Sequence, residues 1–138
     1  MKIPDRVEYT MYSGIELPLG IDIETYQWIT ADLNRVLYVI SVYEEEYEDF
    51  YQTVKQHCPC TLYEGGELPS QGMVFMSCDM YKRLERKPTA RERNIFFIGA
   101  GFQEQYIFHL PKRIMLKSDQ GVYYRSGKIN VVKYVQNG

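Results

Sequence analysis

The sequence predicts an α+β domain in which one long amphipathic helix packs on a mainly antiparallel sheet, with a second, short helix. Three observations carry this prediction. The chain has 138 residues, a length that suits one hydrophobic core. Its first half contains a long apolar stripe with helical spacing, and its second half contains short apolar runs separated by glycine and proline. We therefore expect a single domain over residues 1–138, with an acidic N-terminal half and a basic, β-rich C-terminal half.

The long helix is predicted over residues 31–57. Between positions 33 and 54 the apolar residues recur at the i, i+3, i+4, i+7 spacing of one helix face, Thr30 can cap the start, and Pro59 stops the helix. A competing interpretation makes residues 36–42 a strand, because Val and Ile are β-branched, and begins a shorter helix at Glu44. The single helix is the preferred prediction.

Glycine, proline and other turn-forming residues divide the rest of the chain into short elements. Strands are predicted over residues 6–12, 73–76, 94–98 and 102–110, and a closing hairpin over residues 122–125 and 128–135. Residues 64–72 are expected to form a loop. A short helix follows the second of these strands, with Ser77 or Asp79 as its cap, and Pro88 ends it after Lys87.

Charge is divided along the chain. Residues 1–79 hold 4 Lys/Arg against 14 Asp/Glu, whereas residues 80–138 hold 12 against 4. Blocks of opposite sign in one compact domain can pair with each other, face different partners, or join copies of the chain head to tail. The sequence leaves these three arrangements open.

The acidic half concentrates its charge on the predicted long helix, where tyrosines are interleaved with carboxylates. The candidate partner-binding residues of this acidic face are Glu44, Glu45, Glu48, Asp49, Tyr47 and Tyr51. Carboxylates along a helix can imitate phosphates and occupy a basic site on another protein, while tyrosines supply contact area. This pattern predicts docking on a protein partner.

The basic half contains a dense cationic run. The candidate phosphate- or nucleotide-binding residues are Lys82, Arg83, Arg86, Lys87, Arg91 and Arg93. Such a run can neutralise phosphates, and the nearby Tyr81 could stack on a base. Because the first half is acidic and the pI is 5.7, a long polyanion would be repelled. A nucleotide or a short nucleic acid is therefore the expected ligand of this run.

Residues that could carry chemistry are few. The ligand types of a zinc site are present in His57, Cys58, Cys60 and Cys78, but one residue between Cys58 and Cys60 is a shorter spacing than structural zinc sites use. Nucleophile, base and orienting group do not stand in a known catalytic pattern. We predict no catalytic residue, no metal and no cofactor.

Three short segments, at residues 12–14, at residues 75–77 and at Glu104, fall in an order that resembles the skeleton of mono-ADP-ribosyltransferases. In that family a strand-borne Arg or His, an aromatic-Ser-Thr-Ser strand and a catalytic Glu on a third strand cradle NAD. Here neither Arg nor His stands beside Gly14, Cys78 occupies a position where the family prefers Thr, and Glu104 lacks the usual E-x-E pair. The resemblance implies an ADP-ribosyltransferase that is either active or degenerate.

The cellular location of the protein is predicted from features that its sequence lacks. No apolar stretch approaches the roughly 18 residues that a membrane-spanning helix needs, and the N-terminus lacks the apolar core of a secretory signal. Three Cys residues do not suggest a disulfide framework. These features predict a cytoplasmic protein that does not bind membranes.

Taken together, these patterns predict a small non-enzymatic binding or inhibitor protein, of immunity type or mobile-element type. It would dock on a macromolecular partner through the acidic, Tyr-rich helix, the basic segment, or both. The expected partner is a protein, and a homo-oligomer is a further alternative. The alternative function is nucleotide handling, by a small phosphate-ligand binder or by an ADP-ribosyltransferase-like enzyme.

Overall fold

The structure, a computed structural model, describes residues 16–89, 91–99, 103–108, 114–125 and 127–134. In these ranges the strands are β1 (Glu16–Asp22), β2 (Trp28–Asp32), β3 (Leu37–Ser41), β4 (Cys60–Leu62), β5 (Met73–Ser77), β6 (Asn94–Ile98), β7 (Gln120–Arg125) and β8 (Lys128–Lys133). The helices are α1 (Glu45–Val54), α2 (Cys78–Lys82) and a 3₁₀ helix (Gln103–Phe108). The predicted strand over residues 6–12 lies outside the described residues.

The strands form one mixed sheet in the order β2-β1-β8-β7-β6-β3-β5-β4. Neighbours from β2 to β6 are antiparallel, whereas β6, β3, β5 and β4 run parallel to one another. The α+β class is confirmed, and the sheet, predicted to be mainly antiparallel, is mixed, with four antiparallel and three parallel pairings. The parallel part arises because α1 carries the chain from β3 to β4, and α2 carries it from β5 to β6, as crossover connections.

The prediction of one helix over residues 31–57 is wrong, because β3 occupies part of the first half of this range and α1 has only 10 residues. β3 lies between β6 and β5 and is buried on both faces: Leu37 and Val39 pack on one side, and Ile40 packs on the other. A strand buried on both faces is apolar at nearly every position, so the same run also satisfies helical spacing. The competing interpretation, a strand followed by a shorter helix, is confirmed.

The shorter elements agree with the sequence at most positions. β5, β6 and the β7–β8 hairpin form where they are predicted, and residues 64–72 form a loop. Ser77 caps α2, since its hydroxyl accepts a hydrogen bond from the Met80 N–H at 3.2 Å. The helix ends at Lys82, one turn before the predicted end.

The strand predicted over residues 102–110 is wrong, because residues 103–108 form the 3₁₀ helix. Both edges of β6 are already occupied, by β3 and by β7. The neighbours Ile107 and Phe108 are both buried in the same core, which the alternating side chains of a strand would not allow. The Gln105 side chain holds the segment in place by bonding both the N–H and the C=O of Ile114 at 2.7 Å.

Alternate residues of β3, β5 and β6 point to opposite faces of the sheet and form two cores. The first core lies under α1, where the Phe50 ring is 6.0 Å from Phe75 and 5.8 Å from Phe96. It also includes Leu17 and Ala31 from the far end of the sheet, because the sheet curls into a half-barrel around α1. The second core lies under α2 and the 3₁₀ helix.

Candidate functional site

The two charged segments lie on opposite faces of the sheet. α1 packs on the first core and α2 on the second, so the acidic residues of α1 and the basic residues after α2 are separated by the sheet itself. Among the described residues, the ion pairs join Arg86 with Glu92 at 3.5 Å and Lys133 with Asp119 at 3.7 Å. Both pairs lie within the second half of the chain. Neither of these two pairs joins the acidic half to the basic half.

In the structure the carboxylates of the acidic face are exposed, whereas its two predicted tyrosine anchors are buried or half-buried. Its exposed residues are Glu44, Glu45, Glu48 and Asp49. Tyr47 is only 4% exposed, and Tyr51 is half-buried with its ring 5.2 Å from Phe75. Burial, together with nearby carboxylates led by Glu44, raises the pKa of Tyr47 to about 12. The carboxylates in the first turn of α1 also stabilise the helix dipole.

Three of the six predicted basic residues contact uncharged groups of the protein. Arg93 donates to the Tyr124 hydroxyl at 3.0 Å and lies over the Tyr124 ring. Lys87 Nζ donates to two backbone carbonyls at the end of α2. Lys82 Nζ lies 5.5 Å from the centre of the exposed Tyr106 ring. The structure brings the remaining three, Arg83, Arg86 and Arg91, to two neighbouring cavities.

These cavities, of about 490 and about 590 Å³, share Leu68 and Arg86, and we call them together the arginine groove. Its floor is made of side chains that pack on the second core: Val36, Tyr38, Tyr63, Leu68, Met80 and Leu84. Its rim carries four guanidinium groups, from Arg35, Arg83, Arg86 and Arg91, and two carboxylates, from Glu85 and Glu92. The groove is thus apolar at its base and mainly cationic at its border.

The groove is built where the parallel strands begin. Arg35 lies two residues before β3, and Arg91 and Glu92 lie three and two residues before β6, so the parallel register of these strands brings the segments together. The Arg35 guanidinium donates to the backbone carbonyl of Arg91. Burial, and then the nearby Glu92 carboxylate, raise the pKa of Tyr38 in the floor. Arg35 was missed from sequence because it precedes Arg91 by more than 50 positions.

A groove of this composition is suited to ligands that are both anionic and apolar. Guanidinium groups bind carboxylates and phosphates through paired, charge-assisted hydrogen bonds. The Arg86 side chain is 82% exposed, so it can reach a ligand at the rim. The apolar floor offers area for aliphatic or aromatic groups of the same ligand.

A network of hydrogen bonds to the Asp22 carboxylate fixes the turn between β1 and β2. The Asp22 carboxylate accepts hydrogen bonds from the N–H groups of Glu24 at 2.8 Å and Thr25 at 3.0 Å, and from Asn130 Nδ2 at 2.9 Å. Burial alone would raise the pKa of Asp22, but these hydrogen bonds outweigh it and lower the pKa below 3.8. The ionised carboxylate therefore ties the turn to β8.

Asp22→Asn is expected to destabilise the protein at neutral pH and to have less effect in acid. Because the pKa is lower in the folded than in the unfolded protein, ionised Asp22 stabilises the fold above its unfolded pKa, and this stabilisation is lost as the pH falls through the folded pKa. Urea unfolding of both proteins over a pH series measures the difference, with the exposed neighbour Glu24→Gln as control. A difference that does not narrow below pH 3.8 would contradict the role of Asp22.

The zinc alternative is not supported by the placement of its residues. Cys58 belongs to the first core and Cys78 to the second, so the sheet separates their thiols. Cys58 Sγ lies 3.5 Å from Met73 Sδ, and His57 is exposed. Within the described ranges, no three His, Cys, Asp or Glu residues are grouped to hold a metal ion.

The resemblance to mono-ADP-ribosyltransferases requires a third strand that carries the glutamate, but Glu104 lies on the 3₁₀ helix. Residues 75–77 do end a strand, whereas residues 12–14 lie outside the described residues. Burial, followed by the charge of Glu104, raises the pKa of Cys78 to about 12. This thiol is therefore protonated at neutral pH and is a poor nucleophile.

Comparison of the chain with protein-family models, with curated proteins and with solved structures found no match. No helix in the described part of the chain is both long enough and apolar enough to cross a membrane. Any functional proposal therefore rests on the surfaces described above.

Proposed function

We propose that the protein is a non-enzymatic binding protein that docks on a partner protein by receiving an acidic, partly apolar segment of that partner in the arginine groove. One observation carries the proposal: two neighbouring cavities are lined by four guanidinium groups, against two carboxylates, and by apolar side chains that pack on the second core. The carboxylates of α1 do not line this surface, because α1 packs on the other face of the sheet.

The apolar floor is what favours a protein segment over a nucleic acid. A nucleic-acid strand would be held mainly through its phosphates, and the chain as a whole is acidic, with a net charge of −2. An acidic segment with apolar side chains satisfies both parts of the groove, because its carboxylates pair with the arginines while its apolar groups cover the floor. Arginines at the rim also steer such a segment during association.

A small phosphate ligand is the second candidate. Three arginines, Arg35, Arg86 and Arg91, line the cavity that also contains the Tyr38 ring. This arrangement favours a phosphate held by guanidinium groups beside an aromatic surface. Such a ligand would use the cavity of about 590 Å³ and would not need the neighbouring one.

Charge reversal at the rim, by Arg83→Glu with Arg86→Glu, is expected to weaken partner binding at least tenfold. Two attractive contacts become repulsive, and one tenfold step corresponds to only about 1.4 kcal/mol. The ligand for this test is a peptide selected from a random displayed library against the wild-type protein, and its affinity is measured by calorimetry. The selected peptides are expected to combine Asp or Glu with large apolar residues.

The matched control reverses two exposed lysines away from the groove, by Lys55→Glu with Lys117→Glu, and is expected to keep the affinity within a few fold. A third variant reverses the acidic face, by Glu44→Lys, Glu45→Lys and Glu48→Lys. Loss of binding in this variant, with the groove variant unaffected, would move the docking surface to α1 and overturn the proposal. Displacement of the peptide by AMP would favour the phosphate ligand.

A further inference from the structure

A separate cavity of about 280 Å³ lies where the β1–β2 hairpin approaches β7 and β8. From the hairpin it is lined by Thr25, Gln27, Trp28, Ile29 and Thr30, and from β7 and β8 by Tyr123, Arg125, Lys128 and Asn130. Tyr123 belongs to the first core. The strand register puts the other three residues from β7 and β8 on the same face as Tyr123. The cavity is therefore across the sheet from the arginine groove.

Two cations meet at one end of this cavity. Arg125 and Lys128 are paired directly in the antiparallel register of β7 and β8, a placement in which like charges destabilise a sheet. Within the described part of the chain neither cation forms an ion pair. Arg125 and Tyr123 line the same cavity. Burial raises the pKa of Tyr123, and the hydrogen bond from the Asp32 N–H and the charge of Arg125 make this rise smaller. An anion bound here would relieve the repulsion.

The polar walls of the cavity are held in fixed positions. The Tyr123 hydroxyl donates to Asn94 Oδ1 at 2.5 Å and accepts from the Asp32 N–H at 3.2 Å. On the other side, the bond from Asn130 Nδ2 to the Asp22 carboxylate fixes the Asn130 amide. Thr25 is fixed as well, because its N–H donates to the same carboxylate. Such preorganisation lowers the cost of binding a small ligand.

The lining matches a small ligand that carries both a phosphate and several hydroxyl groups. Two cations suit a phosphate dianion, and the hydroxyls and amides of Thr25, Gln27, Thr30 and Asn130 can exchange hydrogen bonds with the hydroxyls of a sugar. The volume lies just below the roughly 300–1,000 Å³ of most small-molecule sites. Trp28, which is 47% exposed, adds an aromatic side chain at the border.

We propose that this cavity binds a sugar phosphate, either free or as part of a mononucleotide, with its phosphate between Arg125 and Lys128. The site does not depend on the arginine groove, and either can exist without the other. Trp28 is the only tryptophan of the chain, so tryptophan fluorescence reports on this cavity alone.

The test titrates the full chain with ribose 5-phosphate, AMP, ribose and inorganic phosphate, using calorimetry and, in parallel, tryptophan fluorescence. Ribose 5-phosphate and AMP are expected to bind, ribose is expected not to bind, and inorganic phosphate is expected to bind more weakly than either. Stronger binding of AMP than of ribose 5-phosphate would assign the site to a mononucleotide, and equal binding would assign it to the sugar phosphate.

The Lys128→Glu variant distinguishes a loss of ligand binding from a loss of stability. It replaces a like-charge pair with an opposite-charge pair, so the melting temperature is expected to stay the same or rise, while ribose 5-phosphate binding is expected to fall at least tenfold. Arg125→Gln with Lys128→Gln is expected to lose binding as well. The control, Lys55→Gln with Lys117→Gln, removes the same charge at two exposed positions that line neither this cavity nor the arginine groove, and it is expected to bind normally. Absence of binding in the wild type, unchanged binding in Lys128→Glu, or equal binding of inorganic phosphate would overturn the proposal.

Discussion

Replacing Phe50 with alanine is expected to lower the free energy of unfolding by about 3–5 kcal/mol. Phe50 is 2% exposed, and its ring contacts Phe75 and Phe96 on the sheet and Tyr134 at 6.2 Å beyond β8. It thus joins α1 to both the parallel and the antiparallel parts of the curled sheet. Since small domains have a total stability of roughly 5–15 kcal/mol, this loss would leave the protein close to unfolding.

Equilibrium unfolding in urea measures the effect, and Tyr43→Ala provides the control. Tyr43 is also aromatic and lies just before α1, but it is 68% exposed, so its removal is expected to change stability by no more than about 0.5 kcal/mol. If the two substitutions had similar costs, Phe50 would not lie at the centre of the first core. The arrangement of the half-barrel around α1 would then be wrong.

The sequence predicts the second half of the fold better than the first, and the reason is physical. β6 and the β7–β8 hairpin are short runs bounded by Gly, Pro or turn residues, so local chemistry alone marks their ends. β3 has no such boundary before α1: residues 41–44 contain no glycine or proline, and the strand is apolar on both faces. Periodicity cannot separate a doubly buried strand from a helix face in that situation.

The candidate sites show the same limit. Charge patterning identified Arg83, Arg86 and Arg91, because they lie close together in the chain, but it also selected Lys87 and Arg93, which bond to groups of the protein itself. Arg35 joins the groove only through the pairing of β3 with β6. The cavity beside Trp28 depends on the approach of β2 to the β7–β8 hairpin, which is distant in sequence, and no local pattern could reveal it.

Tyr47 shows why an interleaved pattern can mislead. In the sequence it stands between carboxylates and therefore resembles a residue of an exposed contact surface. On a helix, however, residues three apart share a face, and Tyr47 shares its face with Phe50 and Val54, which are both buried. Tyr47 therefore contributes to the core, and Tyr51 is half-buried against it.

Asn94→Ala is expected to lower the free energy of unfolding by about 2–4 kcal/mol, because it leaves two polar groups without their partner. Asn94 is fully buried, its Nδ2 donates to the Asp32 carbonyl at 2.6 Å, and its Oδ1 accepts from the Tyr123 hydroxyl. The network links β6, β7 and the end of β2. Asn34→Ala, at an exposed position near Asp32, is the control and is expected to have little effect.

A double-mutant cycle with Tyr123→Phe tests whether the two side chains act as one unit. Tyr123→Phe keeps the ring in the first core and removes only the hydroxyl, so Asn94→Ala should cost less in the Tyr123→Phe background than in the wild type, with a coupling of about 0.5–3 kcal/mol. Additive losses would show that the hydrogen bond contributes nothing to stability. Because Tyr123 also forms the floor of the cavity beside Trp28, Asn94→Ala is expected to weaken ribose 5-phosphate binding even though Asn94 does not line that cavity. The stability of the fold and the binding of ribose 5-phosphate in the cavity beside Trp28 would then depend on the same buried hydrogen bonds.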